Sequence, residues 1–154
     1  MNSISMAQKK GLLLLHLLFS CIMLGGAAIF LVLSIVAATT DDPAVFHACQ
    51  TVLHVLSKTS VRASTIGTLV TGILLSAWTH WGFLRYYWII AKEALSVVTV
   101  LLGPIGMYIW TAGAAQGGNN TLLWGGIVLQ LLSLVAIFWL SVFKPWGKRA
   151  ARER

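Results

Sequence analysis

Long apolar runs joined by short polar connections make up most of this chain. Residues 11–38 are almost uninterrupted. Residues 63–78 are apolar and extend helically in both directions. Residues 84–111 form a third run, broken by Lys92 and Glu93, and 121–143 a fourth. A bilayer core takes about 20 apolar residues as helix. The pattern predicts an all-α fold, an integral membrane four-helix bundle. It is one transmembrane domain over 1–154, with helices at about 11–38, 44–81, 84–112 and 121–143 and a basic tail at 144–154. The second helix has Asp41 or Asp42 as N-cap and Pro43 in its first turn. Its pattern meets no breaker until about Trp81, so its first four turns are expected in or above the outer interface.

Within each run the polar and small residues recur on one helical face. Helix 1 aligns His16, Ser20, Met23, Ala27 and Ser34. Helix 3 aligns Lys92, Ser96, Thr99, Gly103 and Gly106. Helix 4 aligns Gly126, Gln130 and Ser133, with Ser141 at the edge. Helix 2 carries the longest stripe, from His47 and Thr51 through His54, Lys58 and Arg62 to Thr65, Thr68, Gly72, Ser76 and Thr79. In a membrane such faces turn towards other helices. Ser, Thr and Gly alone are also ordinary packing surfaces.

Composition agrees. The 154 residues are 58% hydrophobic and 10% charged, against roughly 25% charged in a soluble domain. Lys9 and Lys10 precede helix 1, and Lys144, Lys148, Arg149, Arg152 and Arg154 follow helix 4. Cationic flanks mark the cytoplasmic side. Both termini are therefore expected in the cytoplasm of a multi-pass protein of the bacterial cytoplasmic membrane. The net charge of +7 is a topology signal and no mark of nucleic acid. The partners expected from this are the lipid bilayer, anionic lipid at the basic tail, and a second copy or another membrane protein. Helix 1 is too long for a signal-peptide core of ~7–15 residues. Cys21 and Cys49 fall at different depths and show no CxxC spacing, so no disulfide is expected. Trp78, Trp81, Tyr86, Tyr87 and Trp88, with Trp139 and Trp146, read as an interfacial belt.

The ionisable residues narrow the chemistry. His16 lies about five residues inside helix 1, Lys92 about eight inside helix 3, and His80 at the inner end of helix 2. At about 1.5 Å per residue they share the inner half of the bundle, where an ionisable side chain is a functional candidate. A core histidine bonded to a neighbouring helix and a snorkelling lysine are the plainer readings. On the outer half of helix 2, His47, His54, Lys58 and Arg62 form a basic face suited to a carboxylate or phosphate, or simply a solvated one. His47 and His54 stand about 10 Å apart along the axis, too far to hold one metal together. Only four acidic residues occur, none deep in the bundle, which disfavours a carboxylate proton relay. No HExxH, GxSxG or Walker pattern appears.

The run LLLLHLLFSCIMLGGAAIF, and IGTLVTGILLSAWTHWGFLRYYWIIAKEALSV after it, resemble a broad bacterial set. That set contains predicted four-helix integral membrane proteins of unknown function, copper-resistance protein D-like membrane domains and HemJ-type protoporphyrinogen oxidases. The resemblance covers roughly residues 12–102. It implies a haem b site in the inner half of the bundle, with His16 at the position of the family's helix 1 histidine and Lys92 at that of its helix 3 lysine. Where HemJ-type proteins continue helix 1 with aromatic residues and arginine, this chain reads AAIFLVLSIVAATT.

Two functions follow as expectations. In the first, His16 ligates a b-type haem iron, His80 or Met23 supplies a second ligand, and Lys92 pairs with a propionate. The chemistry is electron transfer or porphyrinogen oxidation. In the second, the chain is a cofactor-free small transporter or an accessory or assembly protein with a polar interior.

Overall fold

The computed structural model describes residues 5–78, 86–115 and 121–146. They form four long helices, each long and apolar enough to cross a membrane. Helix α1 is Met6–Thr39. Helix α2 comprises Pro43–Leu56, a wide π-type stretch Ser57–Val61, and Arg62–Trp78. Helix α3 comprises Tyr87–Val100, a second wide stretch Leu101–Met107, and Tyr108–Ala115. Helix α4 is Thr121–Phe143. The expected ends of helices 2 and 3 at 81 and 84, the basic residues beyond Trp146, and His80 lie outside the described residues.

Local chemistry sets the ends. Helix α1 starts earlier than the apolar run because Ser5 and Gln8 form a capping box, each side chain bonding the other's backbone N–H. Asp42 caps α2 through Ala44 N at 2.8 Å, with Pro43 in the first turn where no N–H is needed. The wide turn in α3 contains Pro104, which cannot donate to the helix ladder.

The helices run antiparallel in sequence order around a ring, with α1 beside α4. The start of α1 and the end of α4 thus share one end of the bundle, called here the terminal end. The α1–α2 turn marks the opposite end. The inward stripes expected on α1, α3 and α4 are buried: Ser20, Met23, Ala27 and Ser34 on the first, Thr99, Gly103 and Gly106 on the second, and Gly126, Gln130 and Ser133 on the third. Helix α2 differs. Through its wide turn the buried positions are Leu53, Ser57 and Val61, spaced by four. The expected stripe therefore does not stay inside: His47, Thr51, Lys58 and Arg62 are exposed, and burial rejoins it only at Thr65.

An apolar layer crosses the half of the bundle near the α1–α2 turn. Phe30, Leu53, Val61, Met107, Leu123 and Ile127 pack there. Trp110 lies between two glycines, Gly106 on its own helix and Gly126 on α4, whose missing side chains make room for the indole. Phe19 lies likewise on Gly67. Such glycine contacts let membrane helices approach closely.

Candidate functional site

In the terminal half of the bundle the helices form an open-sided cavity of ≈540 Å³. That volume falls in the usual range for small-molecule sites, roughly 300–1,000 Å³. The wall takes His16, Ser20 and Met23 from α1, and Thr65, Thr68, Gly72 and Ser76 from α2. Trp88, Lys92, Glu93 and Ser96 come from α3, and α4 adds Leu134, Ile137 and Phe138. The stretches Arg62–Trp78 and Tyr87–Val100 scarcely touch one another, whereas each packs closely on its other neighbour. Leu69 and Ile73 on one side of this seam, and Val97 and Leu101 on the other, line the cavity and are also exposed. The cavity is thus flanked by apolar side chains at the seam between α2 and α3 that faces the bilayer.

His16 is fixed by a chain of hydrogen bonds. Its Nδ1 lies 2.9 Å from Thr71 Oγ1, and that hydroxyl lies 2.6 Å from Gly67 O and 3.2 Å from Thr68 O. A threonine hydroxyl carries one proton, so with that proton donated to its own helix Thr71 accepts from Nδ1–H. In the neutral ring Nε2 is then the nitrogen with the free lone pair, the form that binds metals. The ring edge passes close over Gly72, where an added Cβ would stand 3.2 Å from Cε1. Ser20 donates back to His16 O at 2.7 Å.

Lys92 shares the cavity with His16, as their matched depths suggested. Its Nζ lies 5.6 Å from the centre of the Trp88 ring, and Lys144 Nζ lies 5.9 Å from the same ring. Trp88 is only 6% exposed; it forms part of the cavity wall rather than an interfacial belt. Two polar atoms on the wall, Thr68 Oγ1 and Glu93 Oε1, are buried without a hydrogen-bond partner among the described residues. Met23 is buried, its Sδ accepting a hydrogen bond from Thr65 Oγ1 at 3.4 Å.

The basic residues of α2 assemble elsewhere, nearer the α1–α2 turn. His54 stacks on Tyr108 of α3 with ring centres 5.3 Å apart, and its Nδ1 lies 3.2 Å from Thr111 Oγ1. Lys58 Nζ and Arg62 Cζ each lie 5.6 Å from the centre of the same Tyr108 ring. His47 is exposed and packs edge-on to Phe46. Sequence reasoning missed Tyr108, because nothing in the α3 pattern sets it apart from the other aromatic residues.

Among the described residues no group of three or more His, Cys, Asp or Glu side chains is placed to hold a metal ion, and Cys21 and Cys49 are free thiols. The apolar layer of Phe30, Leu53, Val61 and Met107 lies between the cavity and the Tyr108 cluster. No protein-family model, characterised protein or solved structure matches the chain.

Proposed function

We propose that this multi-pass membrane protein binds an amphiphile from the bilayer in the terminal-half cavity, that the amphiphile is haem b, and that His16 is its axial ligand. The reading rests on one observation above all: Thr71 holds His16 through Nδ1, on the wall of a ligand-sized cavity that Lys92 shares, which leaves Nε2 as the ring nitrogen to meet a metal. Lys92 is a fit partner for a propionate, and Thr68 and Ser96 are polar contacts on the same wall. Iron held by a single histidine would supply one-electron chemistry. Met23 is better suited to the wall than to the iron, since ligation by its sulfur would forfeit the Thr65 bond. In this reading the terminal end faces the bacterial cytoplasm, as the flanking cations suggest. The apolar layer across the bundle supports a binding role over the alternative of conduction through the interior.

The test is an absorption spectrum of detergent-purified protein after haemin addition, oxidised and then reduced with dithionite. The expected result is a Soret band with sharp reduced α and β bands, lost in His16→Ala and retained in His47→Ala. A featureless spectrum, or one indifferent to His16, would overturn the haem assignment.

A further inference from the structure

Lys58 and Arg62 stand in an awkward place for two permanent cations. Both are exposed. Their neighbours on the same surface are apolar and equally exposed: Val55 at 52% and Ile66 at 53% on α2, Ile105 at 51% and Ile109 at 57% on α3. The cluster therefore lies within the band of the bundle that lipid covers. A cation there is costly unless it meets a counter-charge or reaches the headgroups.

Among the described residues no acidic side chain lies nearby. Of the chain's four acidic residues, Asp41 and Asp42 precede α2. Asp42 is sixteen positions from Lys58, about 24 Å along the helix. Glu93 is fifteen positions from Tyr108 towards the terminal end, about 22 Å away. Glu153 lies outside the described residues. Yet both cationic heads sit at one aromatic ring, each 5.6 Å from the centre of Tyr108. Ring contact offsets part of the cost but leaves both charges unneutralised. Two cations at one phenol match a phosphate, which accepts several charge-assisted hydrogen bonds at once. In a bilayer the phosphate within snorkelling reach is that of a lipid headgroup.

We infer that Lys58, Arg62 and Tyr108 form a binding site for the phosphate of an anionic phospholipid in the leaflet nearer the α1–α2 turn. The headgroup sits on the two cations, and its chains lie against the exposed side chains of the α2–α3 seam. The phosphate site shares no residue with the cavity wall.

The test is native mass spectrometry of the purified protein mixed with phosphatidylglycerol or phosphatidylcholine, with thermal stability measured in parallel. Phosphatidylglycerol adducts are expected to outlast phosphatidylcholine adducts. Lys58→Gln with Arg62→Gln should weaken phosphatidylglycerol binding roughly tenfold. Arg62→Lys should keep most of it, and Lys9→Gln with Lys10→Gln should leave it unchanged. Should the double Gln variant not fold, Tyr108→Leu is expected to weaken the same adduct with both charges retained. Undiminished binding in the folded variants overturns the proposal. So does equal stabilisation by inorganic phosphate alone, which would make the ligand a free anion, or an acidic protein partner cross-linking at Lys58.

Discussion

The imidazole of His16 and the hydroxyl of Thr71 join α1 to α2 at 2.9 Å, and His54 joins α2 to α3 through Thr111 at 3.2 Å in the same manner. In both joins the threonine hydroxyl also reaches a carbonyl of its own helix, Thr71 to Gly67 O and Thr111 to Met107 O. With the threonine proton on that carbonyl, each histidine donates from Nδ1 and leaves Nε2 for another partner. One Nε2 belongs to a ring on the cavity wall; the other belongs to the ring stacked on Tyr108.

Removing either hydroxyl should weaken the bundle modestly. Hydrogen bonds between membrane helices contribute on the order of 1 kcal/mol. Thr71→Val and Thr111→Val are each expected to lower unfolding stability in detergent by about that amount. Only Thr71→Val should also weaken haem binding in a spectral titration, because it alone frees the cavity histidine to turn.

Gly126 should not tolerate a methyl group. A Cβ there would collide with Trp110 Cζ3 and lie 2.8 Å from Cε3. Gly126→Ala is expected to cost roughly 1–3 kcal/mol by overpacking. Trp110→Phe, which shortens the ring, should recover part of that loss in the double variant. A strictly additive double-mutant cycle would show that the two positions do not meet.

Ile127 is fully buried in the apolar layer with Phe30 and Leu53. Ile127→Ala should lower stability by roughly 2–5 kcal/mol. If the layer is also the barrier between the two polar regions, proteoliposomes carrying this variant should leak small ions faster than wild type.

Gly72 offers a way to disturb the cavity with little change to the fold. Its added Cβ would press on His16 Cε1 at 3.2 Å, while the Thr71 bond resists movement of the ring. Gly72→Val is expected to abolish the His16-dependent Soret band while helix content by circular dichroism stays unchanged. A normal band in this variant would place the occupant away from the α2 side of His16.

The sequence by itself determined the four crossing segments, because length and apolarity are properties of one stretch of chain. It also determined the inward faces of α1, α3 and α4: a residue such as Gln130 has few tolerable directions in lipid, and its periodicity shows the one it takes. The same argument placed His16 and Lys92 at one depth. It missed the earlier start of α1, although Ser5 and Gln8 show the capping-box spacing. Only the tertiary structure decided what lies across from what. The rotation of α2 changes at Ser57–Val61, where a wide turn alters the 3.6-residue period on which face-reading depends, so Lys58 and Arg62 come out beside Tyr108. Trp88 turned inward and Trp110 found its gap between Gly106 and Gly126 for the same kind of reason. The relative rotation and register of two helices are set by many weak contacts between distant segments, and no local pattern carries that sum.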